Sequence, residues 1–207
     1  MSNRQTILKG RALARSLSTL LACVLITGGL VLAGQGFWIH AKAFAAQILL
    51  ERAFTQSVET GAPVKPWSWA DTWPVARIEV PRLETAAIAL KGASGQALAF
   101  GPGHLDNTPE AGDQGTAVYA AHRDTHFAFL KNVEPNDLIR ITRRDGKIVT
   151  YRTTHMAVAR WDEAPIDPQA TGKHLVLATC YPFDAITPGP LRYLVYADLV
   201  ADRVDGE

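Results

Sequence analysis

The sequence predicts an all-β domain, a closed barrel or a sandwich, preceded by an N-terminal transmembrane helix. From Val75 onward, short apolar or alternating runs rich in Val, Ile, Thr and Tyr are separated by Pro, Gly and Asp, the signature of many short strands. Residues 16–41 contain no Asp, Glu, Lys or Arg, and a helix needs roughly 20 apolar residues to cross a hydrocarbon core. The chain has 207 residues, 47% hydrophobic and 20% charged, which suits one domain with an appendage and excludes a disordered polymer. A formal net charge of +1 gives no dense basic patch for nucleic acid, and two cysteines cannot build a disulfide scaffold.

The elements follow in order. Residues 1–15 form a basic tip, with Arg4, Lys9, Arg11 and Arg15 as its only charges. That leaves 17 bases against 20 acids in the remainder, a net of −3. Residues 16–41 are the anchor, with Phe37 and Trp38 where an interfacial aromatic belt would lie. Ala41-Lys42-Ala43 offers a small-residue cleavage pattern, but signal h-regions run only about 7–15 residues, so length favours an uncleaved anchor. Bases before the span keep the N-terminus cytoplasmic and place the rest outside the inner (plasma) membrane. Cys23 then lies within the span as a small hydrophobe, and Cys180 is a lone exported thiol.

Residues 42–74 are a stalk and linker. KAFAAQILLERAF has no Gly or Pro and places Gln47 and Glu51 four apart, a mostly apolar helix. TGAPVKPWSWADTWP breaks that helix, and its three tryptophans, Trp67, Trp69 and Trp73, are expected to pack on the domain. Within residues 75–207 the expected strands are 76–80, 86–90, 116–121, 138–142, 148–159, 175–179 and 192–200. Arg144-Asp145-Gly146 marks a hairpin between two of them.

Three places in this domain carry chemistry: YAAHRDTHF with a strand ending at His122, LVLATCYPF with a strand ending at Cys180, and PGPLRYLVYA with Arg192 opening a strand. A free thiol is only a few per cent thiolate at neutral pH, and an imidazole can stabilise the thiolate and later protonate a leaving amine. An arginine, always charged and five-donor, suits a developing oxyanion. His122 and His126 are spaced H-x-x-x-H, but Arg123 stands where a zinc protease needs Glu, so no metal is expected. His126 is expected in the first turn of a short helix, HFAFLKN, and Asp124 at an exposed position. No cofactor is implied, and no carboxylate cluster argues for calcium.

These residues resemble those of the sortases, membrane-anchored cysteine transpeptidases. The match covers His122-Arg123 at a strand end, a strand running into Thr179-Cys180, and Arg192 opening the last strand twelve residues later. KAFAAQILLERAF, PWSWADTWPVARIEVP and TCYPFDAITPGPLRYLVYA are similar more particularly to the Gram-negative sortase group. Sortases commonly carry Thr-Leu where this chain has Val176-Leu177, which touches no catalytic role.

The resemblance implies a closed eight-stranded barrel with short helices. It implies cleavage of an LPXTG-like C-terminal sorting signal between Thr and Gly through a thioester, with transfer to an amine acceptor. Carried over, Cys180 is the nucleophile, His122 the general acid and base, Arg192 the oxyanion partner, and Thr179 a further hydroxyl near the substrate. Two other readings stand beside it. One is another exported cysteine peptidase such as an L,D-transpeptidase, whose Ser-His-Gly-Cys motif Ala178-Thr179-Cys180-Tyr181-Pro182 does not match. The other is a non-catalytic, membrane-tethered barrel that binds a partner.

Overall fold

The computed structural model describes the backbone of residues 2–204 and the side chains of residues 24–200 apart from 39 and 40. The side chains of Arg4, Lys9, Arg11, Arg15 and Cys23 lie outside the described residues. The chain forms two compact units, residues 1–45 and 46–207. The described residues of the first are helical and belong to α1 (Ser2–Thr60). From Val24 this helix is long and apolar enough to cross a membrane, with a mean hydropathy of 1.4. Its Leu30, Leu32 and Phe37 are exposed, and the Lys42 ammonium lies 5.7 Å from the centre of the Trp38 ring.

The second unit is a closed barrel of eight strands: β1 (Pro74–Val80), β2 (Thr85–Lys91), β3 (Gly103–His104), β4 (Gly115–Ala121), β5 (Leu138–Arg143), β6 (Lys147–Arg160), β7 (Lys173–Cys180) and β8 (Leu191–Val204). Around the barrel the order is β1-β2-β3-β4-β7-β8-β6-β5. β2–β3 and β4–β7 are parallel and the other pairs antiparallel. The seven expected strands are all present, each within a few residues of its expected limits. β3, only two residues long, and the helix α2 (Gly95–Phe100) add to them. Gly146, at a φ of 78°, turns the expected β5–β6 hairpin.

Side chains alternate across these strands, so each has a face inside the barrel and one outside. Tyr119, Ile139, Ile141, Tyr151, Leu177 and Val195 fill the interior. Tyr151 reaches across it and accepts a 2.6 Å hydrogen bond from the Gly112 N–H. Gly112 has a φ of +90°, and a Cβ there would sit 2.9 Å from a Val149 methyl, so only glycine brings the backbone that close.

The end of α1 packs on the outside of the barrel: Leu50 and Phe54, four residues apart, are buried with Ile88, Leu90 and Ala97. Its polar positions are also engaged, Gln47 donating to the Phe100 carbonyl at 2.9 Å and Glu51 pairing with Arg77 at 2.7 Å. The linker tryptophans divide. Trp67 packs edge-on against Phe100, 4.9 Å between ring centres, whereas Trp69 is 79% exposed. The expected packing fails at Trp69 because it sits inside a turn, closed by the Ala70 N–H bonding the Trp67 carbonyl, that turns it to solvent.

Candidate active site

β4, β7 and β8 are neighbours, and their register decides which side chains meet. In the parallel β4–β7 pair, Ala121 stands beside Thr179, so the next residues, His122 and Cys180, come abreast at the same strand ends. In the antiparallel β7–β8 pair, Cys180 stands opposite Arg192. Adjacent strands lie about 4.8 Å apart, so a gap of 58 residues between His122 and Cys180 closes to one strand spacing.

The alternation of side chains places these three on the barrel's outer face. Val118 and Ala120 precede His122 on one strand, Val176 and Ala178 precede Cys180 on the next, and Leu194 follows Arg192 on the third. Leu175 and Leu177 point the other way, into the core, whereas Thr179, beside Cys180, still lines the groove. With Cys180, His122 and Arg192 at its rim, the outer face forms a groove of about 290 Å³. Ala164 and Ile166, in the 161–172 segment between β6 and β7, wall one side, and Leu98 of α2 closes another. The groove is apolar except at the rim, which suits a peptide side chain held beside a reacting carbonyl.

The Cys180 side chain is half-buried and His122 is exposed. Arg192 Nη1 donates to the carbonyls of Gly189 and Leu191, 2.9 Å each, which fixes its guanidinium at the start of β8. Thr179 is buried, and its hydroxyl donates to the Ala121 carbonyl at 2.7 Å. The hydroxyl thus ties together the two strands that carry His122 and Cys180. The 181–190 segment leaves Cys180 through a cis Tyr181–Pro182 peptide and returns at Leu191, whose carbonyl accepts from the Tyr181 N–H at 3.0 Å. Trp161 links the two flanking segments by donating its backbone N–H to the Pro190 carbonyl at 2.9 Å.

His126 is not in a helix; the short 3-10 turn begins at Ala128. Burial pushes its imidazole pKa below the ordinary histidine value, a hydrogen bond to the Ala99 carbonyl opposes this, and the nearby His122 lowers it a little further. The shift favours the neutral ring, and the bond to the Ala99 carbonyl tethers that segment to α2. Asp124 is exposed. Among the described residues the other histidines have structural partners: His104 bonds the Pro109 carbonyl, His155 stacks on Tyr196, and His174 pairs with Asp198. Arg160 pairs with Asp162. Among the described residues no group of three or more His, Cys, Asp or Glu is placed to hold a metal.

What sequence reasoning did not reach is the groove floor and the part played by Arg123, a residue noted only for its place beside His122. The floor was readable: Val118, Ala120, Ala178 and Leu194 share the two-residue parity of His122, Cys180 and Arg192. Arg123 gave no such signal, because its partners are backbone carbonyls in a distant segment.

Comparison with known proteins bears on the family and the fold. Residues 78–200 match the model of the sortase domain. The chain is 26% identical over 189 residues to sortase D of Bacillus subtilis, covering 85% of this chain and 96% of that one. It superposes on the catalytic domain of B. anthracis SrtD with a TM-score of 0.54 at 29% identity, covering 64% of this chain and 90% of the other. A lid mutant of sortase A from Corynebacterium diphtheriae, 22% identical, shares the fold with a TM-score of 0.58 over 75% of this chain and 94% of its own. A sortase domain over more than half of the chain, on a closed eight-stranded barrel, places this protein in the sortase family of cysteine transpeptidases.

Proposed function

We propose that this sortase cleaves an LPXTG-like C-terminal sorting signal between Thr and Gly and transfers the new acyl group to an amine. The observation that carries the assignment of roles is the register that brings His122, Cys180 and Arg192 to one groove rim. The Cys180 thiolate attacks the Thr carbonyl carbon, and the oxyanion that develops is met by the Arg192 guanidinium. The C–N bond breaks as His122 gives a proton to the departing Gly amine, leaving a Cys180 thioester. An incoming amine then passes its proton to His122 and attacks the thioester, and the C–S bond breaks to restore the thiolate.

Thr179 serves this rim from behind, through its bond to Ala121. The apolar groove floor takes the aliphatic part of the signal, and the two flanking segments set its finer selectivity. The stalk and the TCYPFDAITPGPLRYLVYA segment support placing the chain in the Gram-negative sortase group. Its apolar N-terminal helix supports a single-pass anchor in the inner membrane, with the N-terminus cytoplasmic and the barrel outside. A substrate held by its own membrane segment would share that plane, which raises its effective concentration at the site.

The test uses the full chain in detergent micelles, an LPXTG peptide and a small amine, read by mass spectrometry. The expected result is cleavage after Thr with an amide adduct, and no product from Cys180→Ala. An adduct from Cys180→Ala would refute the assignment of the nucleophile.

A further inference from the structure

The segment between Cys180 and Arg192 is held in an uneven way. At its root, Phe183 packs with Tyr181 and Tyr193, ring centres 6.3 and 5.2 Å away, and against the barrel core. At its crown, Asp184, Thr187 and Pro188 are exposed and Ile186 is 100% exposed, so no apolar burial fixes that part. Apart from the Ala185 N–H bond to the Pro182 carbonyl at 3.3 Å, what holds the crown is Arg123. Its Nη2 donates to the Ala185 carbonyl and, at 3.2 Å, to the Thr187 carbonyl. Arg192 holds the same segment further along, at Gly189 and Leu191.

Arg123 directly follows His122, so one guanidinium spans from the residue beside the imidazole to the crown of the segment that begins beside the thiol. Its other amine, Nη1, is buried and has no hydrogen-bond partner among the described residues. An unpaired buried donor of a charged group is unfavourable and offsets part of what the two carbonyl bonds gain. The closed arrangement is therefore held by Arg123 yet only modestly preferred, as suits a segment that must admit a second substrate after the first has reacted.

We propose that Arg123 is a positioning residue: it closes the 181–190 segment beside Cys180, shields the thioester from water, and releases the segment for the acceptor amine. This rests on the thioester reading above. No atom of Arg123 takes part in bond making; it acts through the loop that it restrains.

The experiment takes the full chain in micelles as wild type, Arg123→Ala and Arg123→Lys. Deuterium uptake of the 181–190 segment is followed without substrate, and the ratio of hydrolysis to aminolysis is followed with an LPXTG peptide and triglycine. In Arg123→Ala the uptake should quicken on the order of tenfold through loss of the two charge-assisted bonds. The hydrolysed share should rise about fivefold, with kcat for peptide consumption changing less than the ratio. Lysine can reach only one carbonyl at a time and should fall between. Unchanged uptake in both variants, or faster uptake with an unchanged hydrolysed share, overturns the proposal. Uptake needs no turnover, so a wild type inert toward the peptide would count against the substrate reading while uptake still decided whether Arg123 is the clamp.

Discussion

The Thr179 hydroxyl donates to the Ala121 carbonyl, 2.7 Å away, joining the residue before the cysteine to the residue before the histidine. Thr179→Val keeps the volume and removes the donor, a lost buried hydrogen bond worth about 1 kcal/mol. Because the bond sets how His122 and Cys180 stand abreast, kcat should fall more than KM changes, and Thr179→Ser should recover much of the loss. Denaturant unfolding paired with peptide kinetics checks both halves; a normal kcat in a destabilised Thr179→Val would reduce the bond to a structural one.

Arg192 offers a sharper test of charge geometry. Arg192→Lys keeps the charge but loses the planar fork that bonds Gly189 and Leu191 while presenting further donors to the groove. A lost oxyanion donor costs on the order of 10²–10³ in kcat, and the same loss is expected here, with a smaller change in KM. Steady-state kinetics of the variant would show it. A kcat within a factor of about two of wild type would exclude an oxyanion role.

His174 predicts a pH dependence of stability. Its Nε2 faces the Thr171 carbonyl at 3.0 Å and its Nδ1 faces Asp198 at 2.6 Å, two acceptors that favour the doubly protonated ring. The pKa is raised from the ordinary histidine value, first by the Thr171 carbonyl and then by Asp198. A raised folded-state pKa stabilises fully below the unfolded value, about 6.5, and the contribution is lost as pH climbs through the folded value. The gap in urea midpoint between wild type and His174→Gln should thus be widest near pH 5.5 and narrow above about 6.5. A gap that does not change with pH would show that His174 stays neutral.

Leu50 tests where the folded domain begins. It is buried against Ile88, Leu90 and Ala97 although it lies in α1, before the linker. Leu50→Ala should cost about 2–5 kcal/mol, as for other buried leucines. A variant lacking residues 46–60 should lose still more, since Phe54 and the Glu51–Arg77 pair go with it. Thermal unfolding of both variants measures this.

Much of this fold was legible because strand signals are local: β1 and β5 alternate, and β4 and β7 read as short apolar runs bounded by turn residues. The stalk helix was legible for the same reason, in its helix-forming run. What was not legible is non-local. β3 is a Gly-His pair with no periodicity to read, and it exists because its neighbours β2 and β4 supply its bonds. The parallel pairing of β4 with β7 skips two intervening strands, and no local pattern encodes that choice. His122, Cys180 and Arg192 stood out as residue types at strand ends, and family resemblance singled them out. Their shared face follows from alternation once the pairing is known. Arg123 was noted beside His122, but its hold on the 181–190 segment stayed hidden because carbonyls carry no side-chain identity.

Placing the reactive rim outside a filled barrel has a consequence for how such a protein can diverge. Along β7, Leu175 and Leu177 answer to the fold, while Ala178 and Cys180 answer to the groove. The two demands fall on alternate letters of one strand and seldom compete for the same one. Changes of groove shape at Ala120, Ala178 or Leu194 can therefore accumulate without emptying the interior, and mutational tolerance along these strands should appear as two interleaved stripes. A lineage built this way can explore new recognition sequences while its scaffold stays nearly still.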